Sequence, residues 1–314
     1  MIKDAKIYSV IVSFNGAKWL RKCLASLETS FIPNEIIVVD NNSTDNSIEF
    51  IEKEFSQVTI IKQPINLGFG KANNIGISYA LKQGATYVFL LNQDAYVKPE
   101  TLQNLLTVAI ENTDYSILSP IQLNWEGTAL EHYFAQFILK NKKLYADYYA
   151  NKTIDPLYEV PFVNAAAWLI PSETFKIIGG FDPIFHHYGE DNNYCQRIQY
   201  HQLKIGVVPQ SIIFHDSKVR KGHKITLFSE AYFKNEVKQL QLKYANINIS
   251  LTIKDRKQVR MHNLKLIVRQ LFKFNVTNTL GYLKKYQIFE EAFNDINKSR
   301  AINKEKGSHY IDSH

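Results

Sequence analysis

Two carboxylates, Glu190 and Asp191, stand side by side in the stretch HHYGEDNNYC, just after a glycine and ahead of a helical pattern. A carboxylate that is ionised near neutral pH and held beside a hydroxyl can serve as a general base. The same residues can instead cap a helix N-terminus, where a side-chain oxygen takes up an unpaired backbone N–H. Three further groups admit a similar choice. Asp40 closes the apolar run EIIVVD; it could accept hydrogen bonds from a base or ribose hydroxyl, or cap the next helix. Asp94 follows VFLLNQ and is either a plain loop residue or one carboxylate ligand of Mg²⁺, whose shell substrate phosphates often complete. His215 ends IGVVPQSIIFHD. A lone His is more often structural, yet imidazole is a common metal ligand, here for Mn²⁺ if Asp94 lies near.

The segment NLGFGKANNIG spaces Gly68, Gly70 and Gly76. It matches neither G-x-G-x-x-G nor a phosphate loop with G-K-[ST]. Gly68 and Gly70 would allow close backbone approach, and Lys71 would face a phosphate; a plain turn is the equal alternative.

The elements that must position these groups alternate. IYSVIVSF is a continuous apolar run, as in a strand buried on both faces, and AKWLRKCLASLE follows at helical spacing. EIIVVD, VTIIKQ and TYVFLLNQDA (Thr86–Ala95) read as three more strands. NNSTDNSIEFIEKEF and GKANNIGISYALKQG read as the helices between them. The expected fold class is α/β: a mostly parallel central sheet flanked by helices, with a helical C-terminal extension. Such sheets bind ligands outside the carboxyl ends of their strands. That rule gathers Ser13, Phe14 and Asn15, then Asp40 to Ser43, then Asn66 to Lys71, then Asn92 to Asp94.

The chain of 314 residues is long enough for one large domain with an extension. Its two Cys cannot make a disulfide framework, which predicts a reducing compartment. The first residues lack a signal-peptide cleavage pattern, and no apolar run is long enough to span a bilayer. A cytoplasmic location follows as the expectation. The net charge of +7 is unevenly spread: 17 Lys and Arg face 21 Asp and Glu up to Phe214, and 20 face 9 from His215 onward. A basic tail of that kind meets something anionic.

Taken in order, the motifs resemble an inverting glycosyltransferase of family 2 with the nucleotide-sugar-binding GT-A fold. The carriers are VIVSFNGAKWLRKCLASL, IIVVDNNSTDNS, NLGFGKANNIGI, FLLNQDA and the long block from FVNAAAWLI through GGFD and GED to FHDS. They run from Val10 to about Ser217, and within the family the pattern is closest to the rhamnosyltransferase-like branch. The resemblance implies a catalytic domain over 1–217, with a nucleotide-binding half to about 95 and an acceptor-binding half over 96–217. A basic helical extension would follow over 218–314.

It also implies roles. Ser13, Phe14 and Asn15 would line the nucleotide pocket, with Asp40 on the base and Asn42 and Ser43 close by. Asn66, Gly70, Lys71 and Asn74 would bound the ribose and diphosphate. Asp94 matches the metal-binding Asp of the DxD motif, whose first Asp is Asn92 here, so His215 or water would complete the shell of a divalent cation, Mn or Mg. Asp191 matches the catalytic base, and Glu190 would shape the acceptor pocket. The implied partners are a nucleotide-sugar donor, UDP- or dTDP-linked, and a glycan or lipid-linked glycan acceptor, with no nucleic acid. An oxidoreductase is disfavoured by the missing G-x-G-x-x-G and a nucleotidyltransferase by the lack of a Gly/Lys/Arg-rich loop. A non-catalytic glycan- or nucleotide-binding protein on the same fold is the remaining alternative.

After Ser217, KVRKGHK reads as a basic loop, either solvated or reaching the diphosphate through Arg220, Lys221 or His223. DRKQVRMHNLKLIVRQLFKF reads as a basic amphipathic helix with Met261, Leu264, Val268 and Leu271 in one stripe. It would dock on the catalytic domain, form a homodimer, or lie on an anionic membrane at the inner face of the cytoplasmic membrane.

Overall fold

The computed structural model describes residues 4–150, 152–217 and 225–311. They form two compact units. The first takes in the described residues of Met1–Val219 and Lys306–His314, and the second those of Arg220–Glu305. The extension expected over 218–314 is therefore corrected at its end, because residues 306–311 pack in the first unit. KVRKGHK, at 218–224, lies outside the described residues.

The first unit begins with β1 (Ile7–Ser13), α1 (Ala17–Glu28), β2 (Asn34–Asp40), α2 (Ser47–Glu54), β3 (Thr59–Lys62), α3 (Phe69–Lys82) and β4 (Tyr87–Leu91). It continues with β5 (Ala95–Val97), α4 (Thr101–Glu111), β6 (Tyr115–Asn124), α5 (His132–Ile138), α6 (Lys142–Tyr149) and β7 (Tyr158–Glu159). Then come β8 (Ala167–Pro171), α7 (Ser172–Ile177), α8 (Glu190–Tyr200) and β9 (Lys204–His215). All nine strands join one sheet, ordered β3-β2-β1-β4-β8-β6-β9-β5, with β7 also on β9.

The strands β3, β2, β1 and β4 run parallel, as expected. Beyond β4 the sheet is mixed. β8 is antiparallel to β4 and β6, β9 is parallel to β6, and β5 and β7 are antiparallel to β9. Two reversals restore the direction, so the carboxyl ends of β4 and β9 reach the same sheet edge. The expected fourth strand also breaks: it ends at Leu91, and Ala95 N–H donates to the Asn92 carbonyl at 3.0 Å. That turn lifts Asn92, Gln93 and Asp94 out of the sheet.

The continuous apolar runs are explained by two cores. Side chains alternate across a strand, so Val10, Ile37, Val39, Val88 and Leu90 join one core with Trp168 and α8's Tyr194. Ile11, Val38, Phe89 and Leu91 join the other with α1's Leu20 and Leu24 and α4's Leu105. Burying each such side chain is worth roughly 1.5–3 kcal/mol, which fixes register on both faces. α3 lies tight on the sheet: a β-carbon on Gly76 would fall 2.4 Å from Cγ1 of Val10.

The second unit holds α9 (Glu230–Tyr244), α10 (Ile253–Phe272) and α11 (Val276–Lys304). Arg256 pairs with Glu290 at 2.5 Å, and Arg260 Nε donates to the Tyr286 hydroxyl at 2.7 Å. Partner numbers fall as residue numbers rise, so α10 and α11 form an antiparallel hairpin. Of the stripe expected on α10, Met261, Val268 and Leu271 are exposed, Leu264 is half-buried, and the neighbouring Ile267 is buried instead. Among the described residues no helix is long and apolar enough to cross a membrane.

Candidate active site

The switch point of the sheet lies between β1 and β4, where the strand order reverses, and ligands bind there in such folds. β1 and β2 end level, with Ser13 opposite Asp40. Asn15 and Asn42 both adopt left-handed backbone, at φ 51° and 68°, a conformation that Asn tolerates better than most residues. The Asn15 side chain accepts from Thr44 N–H at 2.8 Å, and its own N–H donates to Ser43 Oγ at 3.0 Å. Asp40 is buried and accepts the Ser43 N–H at 3.2 Å. It does not cap α2, whose cap residue is Asn46 and whose Ser47 N–H goes to Asp45 at 3.0 Å. Phe14, Asn15 and Asn42 remain exposed at this edge and Ser43 half-buried.

Sequence reasoning missed Gln93. Its Oε1 accepts the Phe14 N–H at 3.0 Å and its Nε2 donates to the Phe14 carbonyl at 3.2 Å. One amide therefore ties the end of β1 to the end of β4. Being the middle residue of N-Q-D, it gave no signal of its own.

Three of the residues expected around the ribose and diphosphate turn out differently. Asn74 is buried, with Nδ2 donating to the Phe181 carbonyl at 2.8 Å and Oδ1 accepting the Phe181 N–H at 2.7 Å. Both ends of its amide are taken, so it holds the GGFD turn and does not face a ligand. Asn66 is exposed, but its Oδ1 accepts from Gly68 N–H and from Asn41 Nδ2, both at 2.9 Å. Gly70 is buried against the β-carbons of Phe181 and Glu190, 3.0 and 3.6 Å from where its own would stand. Its neighbour Gly68 has φ +83° and sits under the His186 carbonyl, 2.0 Å from its absent β-carbon. Gly68 admits protein backbone and Gly70 two protein side chains, where the sequence suggested phosphate. Lys71, the fourth residue, is exposed in the first turn of α3.

Asn92, Asp94 and His215 are brought together. Nε2 of His215 lies 3.3 Å from Asp94 Oδ1 and 3.3 Å from Asn92 Nδ2. β5 pairs with the end of β9, placing Ala95 opposite His215, and Asp216 N–H donates to the Asp94 carbonyl at 2.9 Å. Among the described residues no cluster of three His, Cys, Asp or Glu could hold a metal. The pair nevertheless fits a hard cation. Two adjacent ligands of an octahedral ion bound at about 2.1 Å stand about 3 Å apart, and such ions keep waters or substrate oxygens at their other positions. Oδ1 of Asn92 is buried without a hydrogen-bond partner, an orphaned acceptor beside the pair.

Glu190 and Asp191 open α8, and the cap residue is Gly189, in left-handed backbone at φ 107°. Neither carboxylate is the N-cap residue, but Asp191 Oδ1 accepts the Asn192 N–H at 2.7 Å, so Asp191 does take up one unpaired N–H of the first turn. Glu190 is buried and Asp191 half-buried. Desolvation raises the Asp191 carboxyl above the ordinary aspartate range, against the backbone N–H groups of Asn192 and Ala165, which lower it. The helix N-terminus also favours the charged form. A second residue that sequence reasoning missed fixes this helix: the buried Arg197 of α8 donates to the Gly180 carbonyl at 2.7 Å and to that of Ile178. The C-terminal segment covers the same turn, with Gly180 N–H donating to the His309 carbonyl at 2.8 Å.

Residues 9–173 match the family model described as glycosyl transferase family 2. The chain belongs to glycosyl transferase family 2. Asp191 and His215 lie beyond the matched segment, but longer likenesses include them. The dTDP-rhamnosyl transferase RfbF of Shigella flexneri is 24% identical over 291 residues, 90% of this chain and 93% of its own. The low-salt glycan biosynthesis hexosyltransferase Agl10 of Haloferax volcanii is 26% identical, over 63% of this chain and 62% of its own. Among solved structures, S. aureus TarS 1–349 in complex with UDP superposes with a TM-score of 0.51 at 13% identity, covering 92% of this chain and 91% of that one. GalNAc-T7 with UDP, GalNAc and Mn²⁺ gives 0.57 at 16%, covering 76% of this chain and 48% of that one. The fold of this family 2 glycosyltransferase is GT-A.

Proposed function

We propose that this glycosyltransferase moves a hexose or deoxyhexose from a UDP- or dTDP-linked donor to a hydroxyl of a growing cell-surface glycan, with inversion. The observation that carries the reading is the meeting of Asp94 and His215, 3.3 Å apart, at the carboxyl ends of β4 and β9. In this reading a donor diphosphate would lie against them. A divalent cation bound there would offset the negative charge that develops on the leaving diphosphate. GalNAc-T7, which shares the fold and was solved with UDP, GalNAc and Mn²⁺, supports that choice of cation.

Asp191 is the base in this scheme. The acceptor hydroxyl oxygen forms a bond to the anomeric carbon while the bond to the diphosphate oxygen breaks. The hydroxyl proton passes to the Asp191 carboxylate, and the nucleoside diphosphate leaves with the bonding pair. A single displacement inverts the anomeric centre and needs no covalent enzyme intermediate. Glu190, the buried neighbour of Asp191 in the chain, shapes the acceptor side, and Lys71 adds positive charge toward the diphosphate. Both cysteines are free and buried, with no disulfide between them, which suits a reducing, cytoplasmic setting. The basic C-terminal helices would bring the enzyme to the membrane face where lipid-linked acceptors reside.

The test is a screen of UDP- and dTDP-sugars against glycan and lipid-linked acceptors, with the product anomer assigned by NMR. Transfer with retained configuration would overturn inversion. Failure of every nucleotide to bind would overturn the donor class.

A further inference from the structure

The segment from Arg256 to Phe289 contains eight Lys and Arg and no Asp or Glu. At its middle the α10–α11 hairpin turns. The turn is a complete Schellman motif: Phe274 N–H donates to the Leu271 carbonyl at 2.9 Å and Asn275 N–H to the Gln270 carbonyl at 3.1 Å. Its left-handed position, where glycine is the usual residue, is held by Phe274 at φ 51°. A bulky side chain is strained there. Phe274 is 93% exposed and Phe272 81%, so neither gains anything by packing within the unit. Leu271, Val276 and Leu280 are exposed beside them. The turn's own folding therefore gives no reason for these residues.

We propose that the hairpin tip, Leu271–Val276, inserts into the interface of an anionic lipid bilayer. The apolar tip would enter the acyl boundary while Lys265, Arg269 and Lys273 meet anionic headgroups. All three are exposed and make no ion pair among the described residues. A second copy of the chain fits less well, because two such faces would bring like charges together. A nucleic acid would leave the apolar tip without a partner. The inference deepens the membrane contact proposed above by naming the inserted residues. It is independent of transfer chemistry, since lipid binding is read without donor or acceptor.

The experiment is flotation of the full chain with vesicles of phosphatidylcholine alone or mixed with phosphatidylglycerol, at low and physiological salt. Wild type should float with the anionic vesicles and remain free of the neutral ones. Phe272→Ser with Phe274→Gly should weaken that partition by at least roughly tenfold. Phe274→Gly alone should keep or raise the melting temperature, because glycine relieves the left-handed backbone, so lost binding cannot be put down to misfolding. Arg269→Gln and Lys273→Gln should each weaken binding by roughly fivefold and flatten its salt dependence. Wild type that ignores anionic vesicles at low salt overturns the proposal. So does equal flotation with neutral vesicles, an unchanged partition in the double variant, or a lipid-free dimer that the double variant dissolves.

Discussion

A β-carbon added to Gly16 would fall 2.2 Å from Oε1 of Gln93, the atom that accepts the Phe14 N–H. The glycine of VIVSFNG thus exists to admit the amide that locks β1 to β4. Gln93→Leu removes two hydrogen bonds of roughly 1 kcal/mol each and frees the Phe14 backbone. Nucleotide affinity, measured by calorimetry with whichever of UDP, dTDP or GDP binds wild type, should fall by up to about 30-fold. Gly16→Ala should produce the same loss, because its methyl displaces the same amide. Undiminished affinity in both variants would show that the lock does not shape the donor pocket.

Asp94 and His215 should act as a unit on a divalent cation. Asp94→Asn should weaken Mn²⁺ binding by calorimetry and lower transfer by about 100-fold, the order expected for losing several kcal/mol of charge stabilisation. His215→Gln should show a smaller loss, with the Mn²⁺ concentration for half-maximal rate shifted upward. Adding the second substitution to the first should cost little more if, as proposed, both residues serve one ion. Full activity of Asp94→Asn in EDTA would remove the cation from the mechanism.

What the sequence disclosed and what it hid divide on physical lines. Apolar runs are long-range statements about burial, so β1 to β4 and their parallel order were legible. The reversals at β8 and β6 were not, because a strand's composition does not encode its direction. Titratable residues at strand ends announce themselves by type, and Asp94 and His215 do lie together, as the family resemblance implied. Neutral amides do not. Asn74 and Gln93 are both amides that grip a backbone from two sides, yet by sequence one resembles a ligand group and the other carries no signal. Gly68 and Gly70 signalled close approach correctly, but not what approaches; the neighbour is the segment from Phe181 to Glu190.

Asn74→Leu tests the structural role that replaces its expected one. The substitution strands the N–H and carbonyl of Phe181, both held in the interior, and each orphaned group costs about 1–3 kcal/mol. Urea unfolding should show a loss of about 3 kcal/mol. Donor affinity in the fraction that remains folded should change little, because the amide does not face the cleft. A stable variant with weakened donor binding would return Asn74 to the ligand site.

Asp191 carries a prediction in which stability and activity move in opposite directions. Desolvation favours its protonated form in the folded protein, so its folded-state value exceeds its unfolded one. Folding is then favoured below the unfolded value and loses that benefit as pH rises through the folded one. At neutral pH the native protein carries a carboxylate it would rather protonate. Asp191→Asn should therefore raise the melting temperature at pH 7.5 by a few degrees, and the gain should vanish near pH 4. The same variant should lower transfer by about 10²–10⁴-fold, as loss of a general base does, with nucleotide affinity kept. In the proposed mechanism transfer requires the ionised form, so the acid limb of the wild-type rate profile should lie above about pH 4, the ordinary aspartate position. An acid limb at or below that position, or a destabilised Asp191→Asn, would separate Asp191 from the base.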